Sequence, residues 1–132
     1  MMRLLLGFVA VVMLFLMMNV SPSLAQQSSN VTITYDSGMD QLCVVERNCF
    51  NPTVLHVMVN TTVTWKNVDR FSHTVTSGNP YDDQTGAAFD SGLIAPEKGF
   101  SFTFKDAGTY PYFCEIHPWM RGEIDVTSIS PT

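Results

Sequence analysis

Several stretches of the chain alternate apolar and polar residues with a period of two. Val31, Ile33 and Tyr35 are separated by Thr32 and Thr34, and Leu55, Val57 and Val59 by His56 and Met58. Val63 and Trp65 flank Thr64, Phe100, Phe102 and Phe104 flank Ser101 and Thr103, and Ile124 and Val126 flank Asp125. A period of two puts each apolar set on one face of a half-buried strand. Turn formers fall between the runs: Asp36-Ser37-Gly38, Asn51-Pro52, Ser77-Gly78-Asn79-Pro80, Ala95 to Gly99, and Asp106-Ala107-Gly108. No helical period of any length is present. The region from Asn79 to Ile94 is the least regular and is expected to hold loop and one short edge strand. Short strands at this spacing predict an all-β fold, an antiparallel Greek-key sandwich or barrel.

The N-terminal segment does not share this pattern. Met1-Met2-Arg3 gives a short basic start, Leu4 to Met18 is apolar apart from Gly7, and Ser23-Leu24-Ala25 offers the small residues a signal peptidase needs. Residues 1–25 therefore read as a secretory signal, which leaves 26–132 for one domain. The run from Leu4 to Val20 is at the short limit for a spanning helix, so an uncleaved membrane anchor is the alternative. Beyond residue 25 there are six Lys and Arg against twelve Asp and Glu, a net charge of −6. An acidic domain with no basic cluster excludes nucleic acid as the expected partner.

Three cysteines in an exported chain leave one over. Cys43 and Cys49 are close in sequence and are expected to pair, which reserves Cys114 for another purpose. An exported lone thiol must be buried or hold a metal to escape oxidation. Its neighbours favour the metal. In Cys114-Glu-Ile-His117-Pro-Trp-Met120 a thiolate, an imidazole and a thioether recur at spacings of three. Soft sulfur with imidazole suits copper, Cu(I) above all. Tyr110, Tyr112 and Cys114 share one strand face, and a turn stiffened by Pro118 can bring His117 and Met120 round to the same point. A further ligand must come from elsewhere, and His73, at the start of a strand, is available.

These residues resemble the cupredoxins, the blue (type 1) copper proteins of the plastocyanin, amicyanin and pseudoazurin kind. The resemblance runs over roughly residues 50–127. It rests on Val63-Thr-Trp65-Lys-Asn67-Val-Asp69 ahead of His73, and on Gly108-Thr-Tyr110-Pro-Tyr112-Phe-Cys114 ahead of His117 and Met120. The two-residue gap between His117 and Met120 is similar to that of amicyanin and pseudoazurin, whereas plastocyanin has a longer loop. What the resemblance implies is one copper ion held by His73, Cys114 and His117, with Met120 as a weak axial ligand. One departure stands out: members of this kind usually carry Asn directly after the first histidine, and here the residue is Thr74. Its hydroxyl is a shorter substitute for tying the two ligand loops together, while its backbone N–H remains able to donate to the Cys114 sulfur.

The functional expectation is an exported electron carrier cycling Cu(I) and Cu(II), not an enzyme. A nitrite-reductase or multicopper-oxidase activity needs more histidines, and only His56 is spare. A periplasmic copper-delivery protein is the alternative, though five of the eight methionines lie in the leader. Met39 belongs to a polar turn and Glu115 reads as a solvated carboxylate, so neither is expected to bind metal. Redox partners are expected to dock where His117 and Trp119 meet solvent, with Ile116 and Pro118 beside them. The membrane enters only if the leader stays as an anchor. The compartment is extracytoplasmic: periplasm, cell surface or medium.

Overall fold

The computed structural model describes residues 28–39 and 41–128. The expected leader and its cleavage site lie outside the described residues. Eight strands and one helical turn follow in chain order: β1 (Ser28–Ile33), α1 (Leu42–Val45), β2 (Phe50–Asn51), β3 (Val54–Met58), β4 (Thr62–Asn67), β5 (Thr76–Ser77), β6 (Gly99–Thr103), β7 (Gly108–Phe113) and β8 (Arg121–Thr127). They build two four-stranded sheets, ordered β2-β1-β4-β6 and β3-β8-β7-β5. The fold is the expected all-β sandwich, but its sheets are mixed. β1 runs parallel to β4 and β3 parallel to β8, while the other pairs are antiparallel. Alternation alone reports which face a strand buries and is silent on the direction of its neighbour.

The core lies between the sheets and is built from the alternating apolar set. Val31, Ile33, Val63 and Trp65 face inward from one sheet, and Val57, Tyr112, Ile124 and Val126 from the other. Trp65 is fully buried, with the rings of Tyr112, Phe89 and Phe100 centred 5.4, 5.7 and 5.8 Å away. Burying one such ring removes 150–250 Å² from water, so this aromatic cluster dominates the packing.

Two local features differ from expectation. The edge strand lies at Thr76–Ser77, just ahead of the irregular region, which itself adds only isolated bridges through Asp90 and Ile94. Its side chains are polar but buried, and Ser77 Oγ accepts from the N–H groups of Ala88 and Phe89, so no apolar alternation marks it. The second is α1, a single helical turn that carries Cys43, the first half of the disulfide. Four residues are too few to register as a helical period.

At one end of the sandwich the chain reverses around Asn60, whose N–H donates to Phe104 O, and the end of β6 returns past Thr61. The opposite end collects the C-termini of β1, β4 and β7. There the turn 34–39, the segment 67–73 and the loop 114–120 come together.

Candidate metal centre

Each of the three potential donors is held by backbone before any metal is considered. Cys114 follows β7 directly, and its N–H donates to Met120 O at 3.2 Å. Within the loop, His117 N–H donates to Cys114 O at 3.3 Å and Met120 N–H to His117 O at 2.9 Å. Two consecutive tight turns thus carry the chain from Cys114 to Met120, and the flanking residues Phe113 and Arg121 close the hairpin in register. His73 lies in the segment ahead of β5, where its N–H and C=O both pair with Ile94. Asn67 shapes the approach: its Nδ2 donates to Phe71 O and Ile94 O, and its Oδ1 accepts from Asp69 N–H.

These anchors bring three donor atoms together. Cys114 Sγ lies 3.7 Å from His73 Nδ1 and 3.6 Å from His117 Nδ1, and the two nitrogens are 3.1 Å apart. Donors around one first-row ion at about 2.0–2.3 Å span a triangle of this size, so the group fits a metal without rearrangement. It is the one His, Cys, Asp or Glu cluster of this kind among the described residues. Cys114 and His73 are fully buried and His117 is half-buried. Met120 is fully buried in the same loop. His56, by contrast, lies out on β3, exposed and paired with Asp125 at 3.1 Å. Met39 is exposed, and its sulfur accepts from Arg70 Nη2.

The electrostatics are set by Asp69. Its carboxylate accepts from the N–H groups of Asp36 and Gly38 at 3.0 Å each and Arg70 at 2.7 Å, and from His73 Nε2 at 2.8 Å. Burial pushes the Asp69 carboxyl up, yet the bond from His73 and those backbone donors outweigh it and hold the group below its ordinary value. The ionised carboxylate keeps the His73 proton on Nε2, which leaves Nδ1 with its lone pair toward Cys114 and His117. Burial, opposed only in part by Asp69, pushes His73 below its ordinary value. His117 is lowered as well, by burial first and by the facing His73 second. Both imidazoles are therefore neutral near pH 7, the form that binds metal.

Thr74 resolves the departure noted in the sequence. Its N–H donates to Cys114 Sγ at 3.2 Å, and its Oγ1 accepts from Glu115 N–H at 2.9 Å. The hydroxyl does span the two loops, because the main chains approach closely enough for the shorter side chain.

Two residues were not legible as site residues. Asp69 offered a weak signal, a carboxylate four positions before His73. Gly38 offered none, since its role depends on a turn far away in sequence. A β-carbon at Gly38 would lie 3.0 Å from His117 Cε1 and 3.1 Å from His73 Cε1. The turn therefore packs its bare backbone against both imidazoles. Trp119 is half-buried rather than fully exposed, and its Nε1–H donates to Ser37 O at 3.1 Å. Its ring is centred 5.2 Å from that of His117, so it walls the site from the side.

Residues 31–127 match the family described as copper binding proteins, plastocyanin/azurin family. Amicyanin of Paracoccus denitrificans is 40% identical over 72 residues, 54% of this chain and 53% of that protein. The chain thus spans about half the length of the amicyanins it matches. Plastocyanin of Scenedesmus fuscus is 33% identical over 104 residues, 71% of this chain and 98% of that protein. Among solved structures, a purple cupredoxin from Nitrosopumilus maritimus superimposes with a TM-score of 0.64 at 26% identity, covering 75% of this chain and 99% of that one. An amicyanin variant solved in the Cu(I) form gives 0.57 at 28% identity, covering 80% and 87%. With its sandwich, its His-Cys-His triangle and these relatives, the chain belongs to the plastocyanin/azurin family of copper-binding proteins, the cupredoxins.

Proposed function

We propose that the protein is an exported one-electron carrier of the blue-copper class, with His73, Cys114 and His117 as the main ligands and Met120 as the weak axial ligand. Copper held by two imidazoles, a thiolate and a thioether supplies a one-electron Cu(I)/Cu(II) couple. The observation that carries the reading is the convergence of Cys114 Sγ and two Nδ1 atoms, fixed by backbone hydrogen bonds, within 3.1–3.7 Å of one another. Ligands that are already in place need not move when the charge at the site changes, which keeps the reorganisation on gain or loss of an electron small.

The surrounding residues serve that purpose. Thr74 N–H donates to the sulfur and offsets part of the thiolate charge. Asp69 holds the His73 ring by its far nitrogen. Buried Cys114 and Met120 exclude water from the sulfur side. His117, half-buried in a loop beside the exposed Ile116 and Pro118, is the ligand with a route to solvent and the natural point of electron exit. Redox partners would meet this face. Trp119 contributes as a wall to that face more than as an exposed contact.

Carrier rather than enzyme fits the rest of the chain. His56 has Asp125 beside it and belongs to no group of three potential ligands among the described residues. The Cys43–Cys49 disulfide fits an oxidising compartment outside the cytoplasm, in keeping with a leader over residues 1–25. Among the described residues no helix is long and apolar enough to cross a membrane.

The test is the visible spectrum of the Cu(II)-loaded protein. Intense thiolate-to-copper charge transfer is expected, and Cys114→Ser should abolish it while copper still binds. A colourless wild-type Cu(II) protein, or an unchanged Cys114→Ser spectrum, would overturn the assignment. Rapid loss of copper to a chelator would point instead to copper delivery.

A further inference from the structure

Beside the metal centre lies a cleft of about 180 Å³. Its walls include Arg47, Arg121, Trp119, Thr53 and the paired Cys43 and Cys49. None of the described residues that line it is acidic. Neither arginine is in an ion pair among the described residues, whereas Arg70 is matched by Asp36 and Lys66 by Glu97. Arg121 Nε donates only to Pro118 O, at 3.4 Å. Glu46, the acid next to Arg47 in sequence, accepts from Asn48 Nδ2 and lines a different hollow beside Tyr35. Two guanidiniums with no ion pair among the described residues therefore share one cleft on a chain of net charge −5. Their planar forks match a carboxylate in bidentate fashion. The indole of Trp119, 5.2 Å from His117 ring to ring, is common to the cleft and the metal centre.

We propose that this cleft receives a carboxylate side chain from the acidic surface of a redox partner and so seats that partner beside Trp119 and His117. The proposal rests on the electron-carrier reading. Charge complementarity carries it: the cleft is a local cationic feature in an acidic domain, so an acidic partner is repelled elsewhere and drawn here. Such a contact steers encounter and register more than it adds affinity, which suits a carrier that must also leave. Arg47 belongs to the turn closed by the disulfide, so the disulfide loop presents one half of the site and the start of β8, through Arg121, the other.

Two measurements test it. The first uses citrate, a redox-inert carboxylate, titrated into the copper-free and Cu(I)-loaded protein while the indole N–H signals are followed by NMR. Trp119 should shift saturably at millimolar citrate, and fully buried Trp65 serves as the internal reference. Arg47→Gln should weaken the effect at least threefold, while Lys105→Gln, at the far end of the sandwich beside Asn60, should not. Gln keeps a β-carbon, so the left-handed backbone at Arg47 (φ 54°) is strained to the same degree in wild type and variant. The second follows oxidation of the Cu(I) protein by ferricyanide, which takes one electron and becomes ferrocyanide. At an ionic strength of about 10 mM, where screening reaches only beyond about 30 Å, Arg47→Glu should slow this reaction several-fold. It should not slow oxidation by the cation tris(phenanthroline)cobalt(III), and near 1 M salt the ferricyanide difference should vanish. Equal slowing by Arg47→Glu and Lys105→Glu would reduce the effect to net charge and overturn the proposal. So would the absence of a Trp119 shift, or saturation at micromolar citrate, which marks a small-molecule site. Citrate binding needs no colour and no electron transfer, so failure of the blue-copper assignment would show itself separately, as a colourless Cu(II) protein.

Discussion

A buried carboxylate costs several kcal/mol unless donors surround it, and Asp69 is surrounded by three backbone N–H groups and the His73 imidazole. Removing it would strand those donors and release the His73 tautomer together. Asp69→Ala is therefore expected to destabilise the copper-free protein by about 3 kcal/mol, measured by denaturant unfolding. Copper affinity should fall roughly 10–100-fold in competition with a Cu(I) chelator, the usual cost of losing a partner of a metal-bound histidine. An unchanged affinity would mean that packing alone orients the ring. Met120 poses a different question, since its thioether is a weak donor and its side chain is wholly buried. Met120→Leu keeps nearly the same volume, so the fold should tolerate it. Losing a sulfur donor weakens Cu(II) more than Cu(I), and the reduction potential should rise by on the order of 60 mV, tenfold in the one-electron equilibrium. Voltammetry showing no change would remove Met120 from the ligand set.

The disulfide and the ligand loops act at the scale of elements. Cys43 lies within α1 and Cys49 six residues further on, just ahead of β2. Chain entropy gives about 2 kcal/mol for so short a loop, so the double variant Cys43→Ala, Cys49→Ala should lower stability by about that amount. Thiol titration of the unfolded, metal-free wild type should find one free thiol, Cys114. How much of the architecture could be read from sequence follows from how local each signal is. β1, β3, β4, β6 and β8 bury alternate side chains, so their periods stood out. β5 buries Thr76 and Ser77 through hydrogen bonds, and α1 is one turn long, so neither left a pattern. The parallel pairing of β1 with β4 and of β3 with β8 depends on connections that periodicity does not encode. At the candidate site, Cys114 and His117 stand out because their spacing is local, and Met120 follows at the same spacing. Gly38 and Ser37 reach the centre from a distant turn, and only their packing against His73, His117 and Trp119 reveals them.

At the scale of the whole molecule, the question is whether the metal builds its site or finds it. The donors are positioned by bonds that do not involve them as ligands: Ile94 holds His73, the turns of residues 114–120 hold Cys114 and His117, and Thr74 joins the two loops. The aromatic core around Trp65 lies within the sandwich and makes no use of the metal. The copper-free protein should accordingly remain folded and unfold cooperatively. Copper would then stabilise by mass action alone, by about 4 kcal/mol when free metal stands a thousandfold above its dissociation constant. For a domain of this size each kcal/mol moves the midpoint roughly 4–8 °C, so removing copper should lower Tm by about 15–30 °C. Calorimetry of the two forms decides the matter. A single sharp transition in the metal-free protein, shifted downward with its cooperativity intact, is the expected record. A broad or absent transition without copper would mean that the loops at this end of the sandwich are ordered by the metal, and that the donor triangle is a product of binding rather than its cause.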